Sequence, residues 1–134
     1  MASFGTRSTQ ELGTCHPKLQ QIMREVIKTY DFSIIHGYRD KKLQNKFYRL
    51  GTGLKYPHSL HNNSPSLAID IAPWKNGGVD WEDDQEFIIL AGKILEKSQE
   101  LNIKVIWGGL WLRKDLGHFG LTKTEYKKQE VING

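Results

Sequence analysis

The sequence lacks several features that would place it in a specialised class of protein. Its 134 residues include a single cysteine, Cys15, which excludes both an intramolecular disulfide and a cysteine-rich structural metal site. No apolar stretch approaches the ~20 residues of a membrane-spanning helix, and residues 1–10 are too polar for a secretory signal. These absences predict a protein made in a reducing cytosol, with no stable membrane association.

Charge is moderate and mixed along the chain. The net charge is +4 and the pI is near 9.2, yet no run of like charge dominates. A basic balance without a basic arm is typical of a solubilising surface, so we expect no nucleic-acid partner. An ordinary apolar fraction of 38% and the absence of repeats and linkers predict a single domain over residues 1–134.

Hydrophobic periodicity predicts a compact α+β domain, with a small, mainly antiparallel sheet flanked by about three helices. The first predicted helix runs from Pro17 to Tyr30. Asp40 is expected to cap a second helix that stops at Gly51, and Asp80 to cap a third. The remaining predicted elements are strands at 32–36, 66–72, 103–107 and 117–121, and a short terminal helix capped by Thr124.

Two separated segments carry the candidate chemistry. Asp70 interrupts the apolar run 67–72, where a carboxylate is costly unless it is paired or binds a metal. His61 lies in the polar loop that leads into this strand, while Asp115 and His118 flank a tight turn beside another strand. Two imidazoles and one carboxylate with an open fourth position are typical of catalytic zinc, and Asp115 adds a second carboxylate that could act as a base.

The order of these motifs resembles a known family. The zinc D,D-carboxypeptidase family of peptidoglycan peptidases is similar to this chain, and its short phage L-alanyl-D-glutamate peptidase endolysins resemble it more closely. The resemblance covers about residues 12–121 and implies a Hedgehog/D,D-peptidase-like fold. The matching motifs are Arg39, Gln44, Ser59-x-His61, Ala68-x-Asp70, Asp115-x-x-His118, and the stretches 71–74, 79–81 and 107–109.

The resemblance implies a role for each site residue. His61, Asp70 and His118 would bind Zn²⁺, Asp115 would act as the general base, and Arg39 would stabilise charge on the substrate. Substrate-binding roles are implied for a further set: Arg39, Gln44, Ser59 and Trp107. His58 is an alternative ligand ranked below His61, whereas His16 and His36 are interpreted as ordinary surface or core residues.

Two departures from the family pattern affect the surroundings of the site. The spacing from His61 to Asp70 is two residues longer than the commonest pattern, which predicts a longer loop at the cleft rim. Gly120 stands where many relatives carry glutamate, so a supporting carboxylate is missing there.

Taken together, the residues and the resemblance predict a zinc-dependent peptidase that cuts the L-Ala–D-Glu bond of the peptidoglycan stem peptide. Such a phage enzyme would be monomeric, would wait in the host cytoplasm and would depend on a holin to reach the wall. D-Ala-D-Ala carboxypeptidase activity is the alternative within the family. A non-catalytic zinc module that binds the wall or a protein is the alternative of another class.

Overall fold

A computed structural model of the chain describes residues 2–127. One antiparallel sheet has the strand order β1-β2-β4-β3, which confirms the predicted α+β class. The strands are β1 (Phe32–His36), β2 (Ala68–Pro73), β3 (Val105–Trp107) and β4 (His118–Leu121). The helices are α1 (Thr6–Gly13), α2 (Pro17–Val26), α3 (Lys41–Arg49) and α4 (Asp84–Glu100), with 3₁₀ turns at Leu60–Asn62 and Gly108–Leu110.

The core lies between α2, α4 and one face of the sheet. Side chains alternate along β2, so Ile69 and Ile71 join the core cluster while Asp70 lies on the other face. The helices contribute a matching apolar stripe at helical spacing: Leu19, Ile22, Met23 and Val26 from α2, and Leu90, Ala91 and Ile94 from α4. This packing leaves the opposite face of β2 and β4 free to carry polar groups.

Helix α1 was not predicted from the sequence, because only Ser8 and Leu12 of its residues are buried. It runs beside β1, an edge strand of the sheet, and supplies side-chain acceptors to backbone amides there. Ser8 Oγ accepts from Ile34 N at 3.0 Å, Glu11 Oε1 from Gly37 N at 3.1 Å, and Thr14 Oγ1, at the helix C-cap, from Tyr38 N at 2.9 Å. The edge is therefore satisfied by a polar helix face rather than by another strand.

Several predicted boundaries need correction. Asp40 caps α3 as expected, but α4 is capped by Asp83, whereas Asp80 accepts a hydrogen bond from Glu82 N in the preceding turn. Residues 123–127 are helical, so the last helix begins before Thr124 and that cap prediction is wrong. No helix within residues 2–127 is long and apolar enough to cross a membrane.

Candidate active site

Strand register places two of the predicted site residues side by side. Asp70 of β2 pairs with His118 of β4, and its other neighbour is His36 of β1. A register shift between Ile34 and His36 lets His36 face the same side as Asp70. Three polar side chains thus form a row across adjacent strands, on the face away from the helices.

His61 reaches this row from the 3₁₀ turn that precedes β2. Ser59 Oγ accepts from His61 N at 3.1 Å, and Asn62 closes a capping box with the Ser59 backbone. Arg39 N donates to His61 O at 2.8 Å, which ties the turn to the end of β1. The Ser59 side chain therefore caps the turn that carries His61, and its substrate-binding role stays a prediction.

His61, Asp70 and His118 meet in one cluster. Their potential ligand atoms all lie within 4.8 Å of one another. His118 Nδ1 lies 3.0 Å from Asp70 Oδ1, and His61 Nε2 lies 3.2 Å from Asp70 Oδ2. This is the set that the sequence predicted for a metal ion.

The state of His61 fits a metal ligand. Its Nδ1 lies 2.7 Å from Gly37 O, a contact in which the ring nitrogen must donate. Its Nε2 is buried and has no hydrogen-bond partner among residues 2–127. With Nδ1 donating to Gly37 O, Nε2 faces a carboxylate oxygen at 3.2 Å, which is favourable only when a proton or a metal ion lies between the two atoms. The donor set of two imidazoles and one carboxylate suits zinc.

Arg39 contacts the same carboxylate oxygen of Asp70 that His61 Nε2 approaches. Its Nη2 donates to Asp70 Oδ2, and its guanidinium lies 4.5 Å above the Phe47 ring. His36 Nδ1 is 3.4 Å from the same Nη2, and its ring packs edge-on against Phe47. Burial alone would raise the pKa of Asp70, but contacts with His118 and His61 and the Arg39 charge hold that pKa well below its usual range.

Asp115 lies at the mouth of the cleft, on the loop between the second 3₁₀ turn and β4. Its backbone N donates to Gly108 O at 3.0 Å, and a Cβ at Gly108 would lie 2.5 Å from Asp115 O. Glycine is therefore required for this loop to fold back on itself. Partial burial, which removes the carboxylate from water, and the negative charge of Asp70 raise the pKa of Asp115.

Two hollows meet at this point. The larger has a volume of about 590 Å³ and the smaller about 440 Å³. Arg39, Lys114 and Asp115 line both of them. A substrate lying across these shared residues would occupy both hollows with the metal cluster between them.

The comparisons with known proteins give matches that are named as peptidases. The sequence profile of the phage L-alanyl-D-glutamate peptidase family matches residues 1–128. The chain belongs to this family. The L-alanyl-D-glutamate peptidase of Escherichia phage T5 is 32% identical over 110 residues, which cover 81% of this chain and 80% of that protein. The crystal structure of the Serratia marcescens L-Ala D-Glu endopeptidase ChiX has a TM-score of 0.81 and 30% identity, and the match covers 92% of this chain and 93% of ChiX.

Trp107 is not among the residues that line the two hollows of this family member. Its Nε1 donates to Leu116 O at 2.8 Å, and its ring occupies the space that a Cβ at Gly109 would need. Trp111 lines the larger hollow instead, with its ring centroid 4.9 Å from that of His118. Trp111 therefore supplies the aromatic side chain beside the metal cluster, and the substrate-binding role of Trp107 stays a prediction.

Gln44 lines the larger hollow, but its amide is used within the protein. Its Nε2 donates to Leu54 O at 2.7 Å, and its Oε1 accepts from Asn62 Nδ2 at 3.3 Å.

His58 also lines this hollow and lies outside the metal cluster, which agrees with its lower rank as a ligand. A Cβ at Gly120 would lie 3.7 Å from His118 Nε2, so residue 120 does border the cluster.

Sequence reasoning missed three residues of the site. His36 was assigned an ordinary role, although its place at the end of a predicted strand, three residues before Arg39, was a usable signal. Trp81 lines the smaller hollow, and Arg113 lines the larger one and donates to Gly51 O at 2.8 Å. The last two lie on loops whose position depends on the tertiary fold.

Proposed function

We propose that the protein is a zinc-dependent peptidase that hydrolyses the L-Ala–D-Glu bond of the peptidoglycan stem peptide. The observation that carries this proposal is the cluster of His61, Asp70 and His118 in an open cleft, with Asp115 beside it, in a member of a peptidase family. The choice of the L-Ala–D-Glu bond follows the names of the T5 and Serratia relatives, both of which are L-Ala–D-Glu peptidases. Two histidines and one carboxylate leave a position open for substrate and water.

In this proposal His61, Asp70 and His118 hold the zinc ion. When bound there, zinc lowers the pKa of a water molecule towards ~7 and polarises the scissile carbonyl. Asp115 accepts the proton of the attacking water and returns it to the leaving amine. Asp115 is placed for this exchange because it lines the same hollow as His61 and His118.

Arg39 is proposed to serve the same reaction in two ways. Its hydrogen bond to Asp70 compensates the buried negative charge of that carboxylate before the metal binds. Because Arg39 lines both hollows, its positive charge also lies beside any substrate that crosses the site. Charge that develops on the substrate carbonyl is stabilised by such a fixed cation.

The test is digestion of purified peptidoglycan with the zinc-loaded protein, with a chelator in a parallel reaction. We expect new N-terminal D-Glu on the muropeptides, detected by mass spectrometry, and none when the chelator is present. Asp115→Ala serves as the matched inactive variant. Release of free D-Ala from otherwise intact stem peptides would identify a carboxypeptidase instead. No new termini despite bound zinc would point to a binding module.

We also propose that the protein acts as an endolysin, reaching the wall from inside the cell once a holin has opened the membrane. Its membership of a phage peptidase family supports this order of events. Expression alone in a Gram-negative host should leave the culture intact, whereas co-expression with a holin should lyse it. Lysis without the holin would contradict the proposed dependence. We expect a monomer, which light scattering of the purified protein can test.

A further inference from the structure

The smaller hollow is a feature that the proposed reaction does not yet use. It shares Arg39, Lys114 and Asp115 with the larger hollow, and Trp81, Asp84 and Phe87 form part of its own wall. Because both hollows share the residues around the metal cluster, the smaller one is continuous with the place where the bond is cut. A substrate that extends in both directions from the scissile bond therefore has a second surface to occupy.

The two hollows differ in charge. Arg113 lines only the larger hollow, whose one acidic residue is Asp115. Besides Asp115 and Asp70, which belongs to the metal cluster, the smaller hollow has the carboxylate of Asp84, together with the exposed aromatic surface of Trp81. The larger hollow is therefore suited to the half of a stem peptide that carries free carboxylates, which begins with D-Glu. The half on the amino side of the bond is L-Ala joined to N-acetylmuramic acid, whose carboxyl group is consumed in that amide.

Trp81 supplies an exposed aromatic surface in the smaller hollow. The side chain is 60% exposed, and its ring lies 6.0 Å from the Phe87 ring at an interplanar angle of 31°. Phe87 thus supports the indole while much of its surface stays open to a ligand. A flat indole next to a carboxylate suits a sugar, because the C–H face of the pyranose packs on the ring and its hydroxyls donate to the carboxylate.

We propose that the smaller hollow binds the N-acetylmuramyl sugar on the amino side of the scissile bond, with Trp81 as the stacking platform and Asp84 as a hydroxyl acceptor. This inference rests on the proposed function and extends it to substrate orientation. The enzyme is then specific for stem peptides still attached to glycan, with the muramyl end beside Trp81 and the D-Glu end beside Arg113.

The experiment compares two substrates that share the same peptide. One carries N-acetylmuramic acid on L-Ala, and the other carries only an acetyl group. Trp81→Ala should lower kcat/KM about tenfold on the muramyl substrate and leave the acetyl substrate within about twofold, since one aromatic contact is lost. Trp81→Phe keeps an aromatic ring and should retain part of the preference. Trp74→Ala is the matched control, because Trp74 is an exposed tryptophan that lines a separate hollow.

Equal losses on both substrates, or no loss on the muramyl substrate, would overturn the sugar assignment. Circular dichroism tests whether each variant is folded. If Trp81→Ala does not fold, the comparison of the two substrates is made with Trp81→Phe. A binding measurement separates this inference from the proposed function. N-acetylmuramyl-L-alanine, titrated into the zinc-loaded protein and followed by NMR, should bind the wild type more tightly than Trp81→Phe. If the wild type binds this ligand but cleaves neither of the two peptide substrates, the peptidase proposal alone is refuted. Absence of binding would refute the sugar site.

Discussion

Replacing Arg39 by alanine tests how the carboxylate at the centre of the cluster is stabilised. The side chains of Arg39 and Asp70 are only 12% and 16% exposed, so their ion pair is largely withdrawn from water. Removal of one partner from a buried pair typically costs 3–5 kcal/mol, because the other charge is left uncompensated. Asp70 keeps its contacts with His61 and His118. We therefore expect the lower end, a loss of about 3 kcal/mol in the free energy of unfolding of the metal-free protein.

Zinc should change the size of this loss. A bound dication would supply positive charge directly to Asp70, so the variant should regain half or more of the lost stability when zinc is saturating. Arg39→Lys should fall between the wild type and Arg39→Ala, because it keeps the charge without the planar fork of donors. Arg49→Ala is the matched control. Arg49 is exposed at the end of α3, and its loss should change stability by no more than about 0.5 kcal/mol.

The assay is urea unfolding followed by circular dichroism, run once with a chelator and once with excess zinc. A loss of 3 kcal/mol corresponds to a decrease in Tm of about 10 °C for a chain of this size, so thermal unfolding gives a second readout. The reasoning is refuted if Arg39→Ala is as stable as the wild type without metal. It is also refuted if the variant loses the same stability with and without zinc, since Asp70 would then not be the group that both cations stabilise.

Three further outcomes are expected. Asp115→Ala should retain about one zinc per chain by metal analysis but lose roughly 10²-fold or more in turnover on muropeptides, as for a positioned base; loss of the metal would make Asp115 a ligand instead. Ser8→Ala should lower the free energy of unfolding in urea by about 1–2 kcal/mol, because the Ile34 amide loses its acceptor, whereas the exposed control Thr9→Ala should lower it less. Equal losses would contradict the role of Ser8 as the acceptor for the edge strand. Burial raises the pKa of Cys15 to about 12, so a thiol reagent at pH 8 should label it only after unfolding, and rapid labelling of the folded protein would contradict this burial.

The cluster could be predicted because its residues violate local expectations. A carboxylate inside the apolar run of β2 needs an unusual partner, and Asp70 therefore identified its own strand as part of a site. The spacing of Asp115 and His118 then supplied a second motif. Sequence spacing did not show that β2 and β4 are neighbours, because 48 residues separate Asp70 from His118. That adjacency follows from the sheet order β1-β2-β4-β3, which was not predicted from the sequence.

Helix α1 could not be predicted by the same reasoning. Hydrophobic periodicity detects elements that bury an apolar stripe, whereas α1 contributes hydrogen-bond acceptors from Ser8 and Glu11. Those acceptors are needed only because β1 lies at the edge of the sheet, and edge position is a property of topology rather than of local sequence. Trp107 and Trp111 illustrate the same limit. Both lie near one glycine pair, and only the folded loop determines which of them faces the cleft.

The location of each part of the site suggests how substrate preference can vary while the metal cluster stays fixed. Asp70 and His118 lie on paired strands, which hold their positions through backbone hydrogen bonds. The walls of the larger hollow come instead from two loops, and the hydrogen bond from Arg113 to Gly51 O connects them. Loops tolerate substitution and insertion far better than paired strands do. Residues 62–67, between His61 and β2, lie outside the sheet but line neither hollow, so the structure does not support the predicted position of this longer loop at the cleft rim. Differences in specificity among relatives should therefore map to these loops and to Trp81, and differences in metal binding to β2, β4 and the turn that carries His61.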